Sequence, residues 1–344
     1  MKKLLNTLYV TTEGAVLRKD GENLVAVVDG EERARVPLHM LASVVVFGAI
    51  TVSPALIGAA AAAGITLTRL DRVGRFQARI EGPVAGNVLL RRAQYRASDK
   101  PEEIVRSLVI GKIANQRTVL IRALRDYGGE YQPDDRVAIE TVVERLARIV
   151  RRVELSDDML ERLRGSEGEA ANLYFSVFDH LIRAPEPEMR WRGRSRRPPL
   201  DPVNALLSFL YTLLTHDCRS AAESVGLDPA VGFLHRDRPG RPSLALDLME
   251  ELRPALADRL VLSLVNRRQV TARDFTTREG GAVMLSDDAR RTVLTAWQER
   301  KKQERTHPFL QETAPLGLVA FLQAQMLARH LRGDLDAYPP WFWK

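Results

Sequence analysis

A single cysteine, Cys218, in 344 residues excludes an internal disulfide and gives no support to a thiolate-bound zinc cluster. No run approaches the roughly eighteen uninterrupted apolar residues that a bilayer-spanning helix needs, so no membrane anchor is expected. The start, MKKLLNTLYVTTEG, carries two lysines where a secretory signal has its basic region, but Asn6 and Thr7 break the apolar stretch within a few residues. Secretion is therefore not expected, and with the lone cysteine this points to a reducing cytoplasm. Neither a phosphate-cradling glycine loop nor a dinucleotide fingerprint is present, which leaves an acid–base enzyme acting on a small molecule without support. No internal repeat is seen.

What the chain does have is the composition of a globular protein, 45% hydrophobic and 28% charged. At 344 residues it is long for one core, and two domains are expected. Its 51 lysines and arginines exceed 44 acidic residues, a net charge of +7 that matters only where it is concentrated on one surface. It is concentrated between Met189 and Asp201, where Arg190, Arg192, Arg194, Arg196 and Arg197 surround Trp191 with no acid among them. That pattern suits a phosphate backbone, with a tryptophan available to stack on a base; a solvated, flexible loop is the alternative. Arg300, Lys301, Lys302 and Arg305 form a second basic cluster after Trp297 on an expected helix that ends before His307-Pro308.

Up to about residue 80 the pattern is of short strands separated by turns: Thr7 to Thr11, Ala15 to Arg18, Leu24 to Val28, Arg33 to Val36, Val44 to Phe47, Ile65 to Leu70 and Phe76 to Ile80. The turns are Asp20-Gly21, Asp29-Gly30 and a stretch ending at Gly74. One helix interrupts them, with Ser53 as cap, Pro54 at the first helical position and Ala59 to Ala63 leading to Gly64. After Gly82-Pro83 the apolar residues recur with a helical period, as at Val105, Leu108, Val109, Ile113, Leu120 and Leu124. The fold class expected is α+β: a small N-terminal β domain with one helix over residues 1–85, a linker over 86–100, and a larger all-α domain over 101–344. Connecting segments at 126–135 and 184–202 are rich in glycine, proline or arginine, and the tail YPPWFWK is too proline-rich to be helical.

Three places put polar groups where the local pattern makes them awkward. Glu167, in Arg164-Gly165-Ser166-Glu167-Gly168 before an expected helix from Glu169 to Ile182, falls in line with Ala170, Ala171, Tyr174 and Phe175. A carboxylate aimed at a core must be paired, protonated or metal-bound, unless it simply meets backbone amides at a helix start. His235 ends the apolar run Gly232-Phe233-Leu234 and enters a loop with Arg236, Arg238 and Arg241, where it is either a ligand or a locally hydrogen-bonded imidazole. Asp247, Glu250 and Glu251 lie three and four apart on a helix capped by Ser243, forming one acidic face that is either solvated or screened by a cation. One histidine with several carboxylates suits magnesium or manganese, and such an ion can activate water or a DNA 3′-hydroxyl against a phosphodiester.

The blocks GSEGEAANLYF, DPVNALLSFLYTLL, GFLHRDRPGRPSLALDLMEELRP and LYVTTEGAVLRKDGENLVAVVDGE resemble the signature segments of the CRISPR-associated spacer-acquisition integrase, closest to its type I-C branch. The likeness runs from the strand-rich start to the helix near Trp297. It implies a β domain through which subunits pair into a homodimer, an α-helical catalytic domain, and assembly with a small ferredoxin-like second acquisition protein. It also implies that Glu167, His235 and Glu250 hold Mg2+ or Mn2+, with Asp247 as a supporting carboxylate. The activity implied is metal-dependent cutting and joining of double-stranded and branched DNA, in which a prespacer 3′-hydroxyl attacks a phosphodiester at the edge of the CRISPR repeat. Arg190, Arg192, Arg194, Arg196, Arg197, Arg236, Arg238, Arg241, Lys301 and Lys302 are the candidates for holding the DNA backbone. Two competing expectations are a non-catalytic DNA-binding architectural protein of the same fold and an unrelated nuclease that only hydrolyses.

Overall fold

The computed structural model describes residues 7–71, 76–82, 88–155 and 159–343. Two compact units emerge: Met1–Ala85 with Val293–Gln298, and Gly86–Thr292 with Glu299–Lys344. The expected turn at Gly74 and residues 83–87, over which the β-to-α boundary is expected, lie outside the described residues.

In the first unit the described strands are β1 (Thr7–Val10), β2 (Val16–Asp20), β3 (Asn23–Val28), β4 (Glu31–Pro37), β5 (Ser43–Phe47), β6 (Thr51–Val52), β7 (Thr66–Leu70) and β8 (Phe76–Ile80), with helix α1 (Pro54–Ala62) between β6 and β7. One sheet has the order β1-β5-β7-β8, parallel except at its β7–β8 edge; the other has the order β4-β3-β2-β6. Within the latter, β2–β3 and β3–β4 are antiparallel and β6 joins β2 in parallel. Asp29 and Gly30, at φ 51° and 81°, make the two-residue turn between β3 and β4, where a type I′ hairpin requires positive φ at both positions. Ser53 caps α1, its hydroxyl accepting from Leu56 N at 3.3 Å, and Pro54 opens the helix. Leu17, Leu24, Val44, Val46, Leu56 and Leu67 fill the core. Strand β6 is absent from the sequence expectation because two residues leave no period.

The second unit is built on α2 (Val88–Ala97), α3 (Glu102–Tyr127), α4 (Pro133–Leu155), α5 (Leu160–Ser176), α6 (Pro202–Ser224), α7 (Ser243–Arg253) and α8 (Arg259–Asn266). Next along the chain come β9 (Phe275–Thr277), β10 (Val283–Leu285), α9 (Asp287–Lys302, of which Val293–Gln298 belongs to the first unit), β11 (Glu304–Thr306), β12 (Thr313–Pro315) and α10 (Val319–Leu331). The β9–β10 and β11–β12 ribbons correct the all-α expectation; with three residues per strand they too carry no readable alternation. Residues 88–97, expected in a linker, form α2. Its buried Gln94 donates to Asp228 O and Val231 O, both at 2.8 Å, and accepts from Asp228 N at 2.9 Å, fastening the loop that leads to His235.

Helix α7 packs against both α3 and α6, and nine of its eleven residues are buried, so no side of it is a solvated face. Ser243 is not its cap, as expected, but its first residue, and its hydroxyl reaches Arg236 O at 3.3 Å. A π-helical turn, Pro254–Asp258, links α7 to α8. Residues 338–343 are non-helical, and Tyr338, Trp341 and Trp343 are buried. Trp341 N donates to Glu251 Oε2 and Trp343 N to Asn115 Oδ1, both at 2.7 Å, so backbone amides of the tail close on side chains of α7 and α3. Gly111 on α3 makes room, since a Cβ there would lie 3.0 Å from Pro340 Cβ and 3.1 Å from Glu251 Oε2.

Candidate active site

Asp247, Glu250 and Glu251 share α7, yet their side chains part to three different sets of partners. Asp247, with no exposure, accepts from the backbone N–H groups of Phe233 (2.5 Å), Leu234 (3.0 Å) and His235 (2.9 Å), and meets His235 Nδ1 at 2.6 Å. One carboxylate thus both folds the loop and orients its imidazole. The loop comes this close only because position 232 is glycine: a Cβ there would lie 2.8 Å from Asp247 Oδ2 and from Ser243. Glu251 turns the other way, to Trp341 N, Gln323 Nε2 at 3.0 Å and the Tyr338 hydroxyl. Burial pushes its carboxyl up to about 7 against those donors.

Glu250 faces the site. Arg253 Nη1 is 2.7 Å from its Oε1, and His235 Nε2 lies 3.7 Å from the same oxygen. Its Oε2 is buried and accepts no aligned hydrogen bond, while the Lys112 ammonium of α3 stands 2.7 Å away as an ion-pair contact. Burial acts to raise this carboxyl, but Arg253, Lys112 and His235 outweigh it and hold it well below the usual carboxylate range. Lys112 also pairs with Glu167 Oε1. Glu167 stands inside α5, not before a helix as expected, because α5 starts at Leu160 and carries Gly165 and Gly168 within it. A helix-start role met by backbone amides is therefore excluded, and the expected inward direction is what the structure has. Glu169 points elsewhere, accepting from Arg152 Nη2 at 2.6 Å.

Glu167 of α5 and Glu250 of α7 thus meet over the Lys112 ammonium, and His235 of the Gly232–His235 loop brings its Nε2 to 3.7 Å from Glu250 Oε1. Among the described residues no three His, Cys, Asp or Glu side chains converge closely enough to hold an ion as they stand, and the Lys112 ammonium lies between Glu167 and Glu250. The donor chemistry nonetheless fits a hard divalent cation: two carboxylates, one with an oxygen lacking an aligned donor, and an imidazole whose Nδ1 is engaged by Asp247 so that Nε2 is the ring nitrogen turned toward Glu250. Asp247 has all its neighbours already and belongs behind the histidine.

Residues 8–299 match the family model for CRISPR associated protein Cas1. The chain belongs to the Cas1 family. It is 72% identical over 344 residues to the CRISPR-associated endonuclease Cas1 2 of Rhodospirillum rubrum, with all of both chains covered. Among solved structures, a Cas6-RT-Cas1–Cas2 complex superposes on all of this chain at a TM-score of 0.83 and 22% identity, this chain spanning 37% of that longer one. A casposase bound to integration product superposes at 0.81 and 22% identity, over 97% of this chain and 92% of that one. At such identities these two likenesses establish the fold.

The basic residues of this Cas1 chain separate into two groups. Arg190, Arg192, Arg196, Arg197, Arg236 and Arg238 are exposed, Arg241 and Lys302 have partial or full access to solvent, and all remain candidates for contacting a phosphate backbone. Three expectations are corrected. Arg194 turns inward, with Nη1 donating to Asn204 Oδ1 at 2.7 Å and its guanidinium over the Tyr211 ring. Lys301 is 2% exposed and held by Asp217 Oδ2 at 2.8 Å. Trp191 is buried, stacked on Phe175 at 5.3 Å with Nε1 donating to Phe175 O, and cannot stack on a base. Lys112 and Arg253 were not singled out from the sequence. The signal for Lys112 was there: it lies seven residues after Val105 and four after Leu108, on the same kind of inward helical line that marked Glu167.

Proposed function

We propose that this Cas1 family member is a metal-dependent DNA endonuclease and integrase that joins prespacer 3′-hydroxyl ends into the edge of a CRISPR repeat by transesterification. The observation that supports the reading is that Glu167 and Glu250 share the Lys112 ammonium while His235, fixed from behind by Asp247, stands 3.7 Å from Glu250. Glu167, His235 and Glu250 would hold Mg2+ or Mn2+. Bound there, the ion supplies polarisation of the phosphodiester and stabilisation of the leaving oxygen. The protein's own part is positional. Asp247 keeps the His235 ring in one orientation, Arg253 keeps Glu250 ionised, and the exposed arginines of 190–197 and 236–238 hold the DNA backbone without reading its sequence. Joining needs no outside energy, since one P–O ester bond forms as another breaks and a 3′-hydroxyl replaces the one consumed.

On the details of its sequence blocks we assign the chain to the type I-C branch. A homodimer paired through the β domain, and assembly with a small ferredoxin-like Cas2 partner in the cytoplasm, complete the reading; the Cas1–Cas2 composition of a structural neighbour supports the partner. The test is a labelled branched DNA incubated with the wild type or His235→Ala, in manganese or in chelator, scoring cleaved and rejoined strands. Metal-dependent rejoining by the wild type, absent in the variant, is expected. Equal DNA binding by both with no change to the DNA under any metal would establish the architectural alternative instead.

A further inference from the structure

We infer that Lys112 is a built-in counter-cation of this site: its ammonium holds together the same two carboxylates that a divalent ion would bridge, gives way when the ion enters, and then contacts the reacting phosphate. The inference rests on the metal-site reading above and extends it to a residue with no role there.

Lys112 is 5% exposed, in the middle of the long helix α3, which packs directly against α5 and α7. Its ammonium is shared between Glu167 on α5 and Glu250 on α7. A lysine placed only to balance a buried acid would need one partner, and Glu250 already has Arg253 at 2.7 Å on its Oε1. Lys112 instead takes Glu250 Oε2, the oxygen with no aligned donor, and binds Glu167 with the same head group. Two carboxylates against Lys112 and Arg253 make a neutral set without any ion. A divalent cation added beside the ammonium would place like charges together at short range, inside a site of low effective dielectric. Ion and ammonium therefore compete for Glu167 and Glu250.

The backbone of α3 is braced around Lys112, because Gly111 lies close against Glu251 and Pro340 and Asn115 is hydrogen-bonded to Glu251 and the C-terminal tail. The flexible side chain can yield, since a lysine stem has four rotatable carbons and a compact charge. Asp247 offers the displaced ammonium no place, being filled by three backbone amides and an imidazole. The anion that an occupied site brings with it is the phosphodiester, whose non-bridging oxygens accept from an ammonium. Lys112 thus serves twice, holding the empty site together and meeting the charge of the substrate when the site is filled.

The experiment compares full-length wild type, Lys112→Met, Lys112→Gln and His235→Ala. Mn2+ binding is measured by calorimetry at one pH, thermal unfolding is followed with chelator and with Mn2+, and strand joining is measured at saturating Mn2+. Both Lys112 variants are expected to bind Mn2+ at least tenfold tighter than the wild type. They should melt earlier in chelator, recover in Mn2+, and join DNA at least a hundredfold more slowly even when saturated. Unchanged or weaker Mn2+ binding overturns the competition, and unchanged joining overturns the phosphate interaction. Variants that fold only with Mn2+ support the exchange of ammonium for ion, whereas variants that fail to fold even then overturn it. Failure of the underlying site looks different: His235→Ala would bind Mn2+ as the wild type does, or no form would bind it at all, and in that last case both readings fall.

Discussion

At the residue scale the placement of His235 depends on one fully buried carboxylate, Asp247. Asp247 offers four acceptor positions, and four donors fill them: the N–H groups of residues 233 to 235 and the His235 ring. Asp247→Asn keeps the shape but replaces one oxygen by an amide that donates, so at least one buried N–H is left unpaired and the imidazole loses its fixed tautomer. Strand joining is expected to fall about tenfold to a hundredfold, the usual cost of removing a partner behind a metal-binding histidine, with Mn2+ affinity falling in parallel. Calorimetry alongside the branched-DNA assay checks this; a variant with wild-type affinity and rate would remove Asp247 from the mechanism. The spacing of Asp247, Glu250 and Glu251 was plain in the sequence, but their fates were not. Three acids at helical spacing look like one face, whereas here each finds a separate partner because α7 is enclosed on both sides.

At the scale of elements, the C-terminal tail is a structural strap and not a loose end. Trp341 and Trp343 are buried, Arg122 lies 4.3 Å from the centre of the Trp343 ring, and Asn115 donates to both Trp341 O and Glu251 O. The strap ties α3 to α7, the helices that carry Lys112 and Glu250. Trp341→Ala removes a large buried ring and is expected to cost about 3–5 kcal/mol of stability, read as a lower midpoint in urea unfolding. An unaltered midpoint would show that the tail does not brace the helices. Among the elements, strands of four or more residues and α1 were legible because alternation and capping are local signals. β6, β9 to β12 and the true start of α5 were not, since two- or three-residue strands have no period and Gly165-Ser166-Glu167-Gly168 has the composition of a loop.

At the scale of the whole molecule, DNA binding is an electrostatic property of the surface, and only exposed charge contributes to it. Arg196→Ala with Arg197→Ala is expected to lower the slope of log affinity against log salt by about two and weaken all sequences alike, about one for each phosphate that is no longer neutralised. Lys301→Ala is expected to leave that slope unchanged while lowering stability, because its ammonium is buried against Asp217. Fluorescence anisotropy over a salt series distinguishes the two; an unchanged slope in the double variant would clear the 190–197 segment of any role in holding the backbone. Charge clustering in the sequence located this segment, but could not say that Arg194 and Trp191 turn inward to Asn204 and Phe175. By itself the sequence determined the β-then-α order, the α1 cap, the inward aim of Glu167 and the membership signalled by its blocks, because each is written in neighbouring residues or in a local period. Only the tertiary structure decided that Lys112 stands between Glu167 and Glu250, that His235 lies beside Glu250 and that Asp247 holds the histidine. Those meetings join positions far apart in the chain, and they exist only once α3, α5 and α7 pack together.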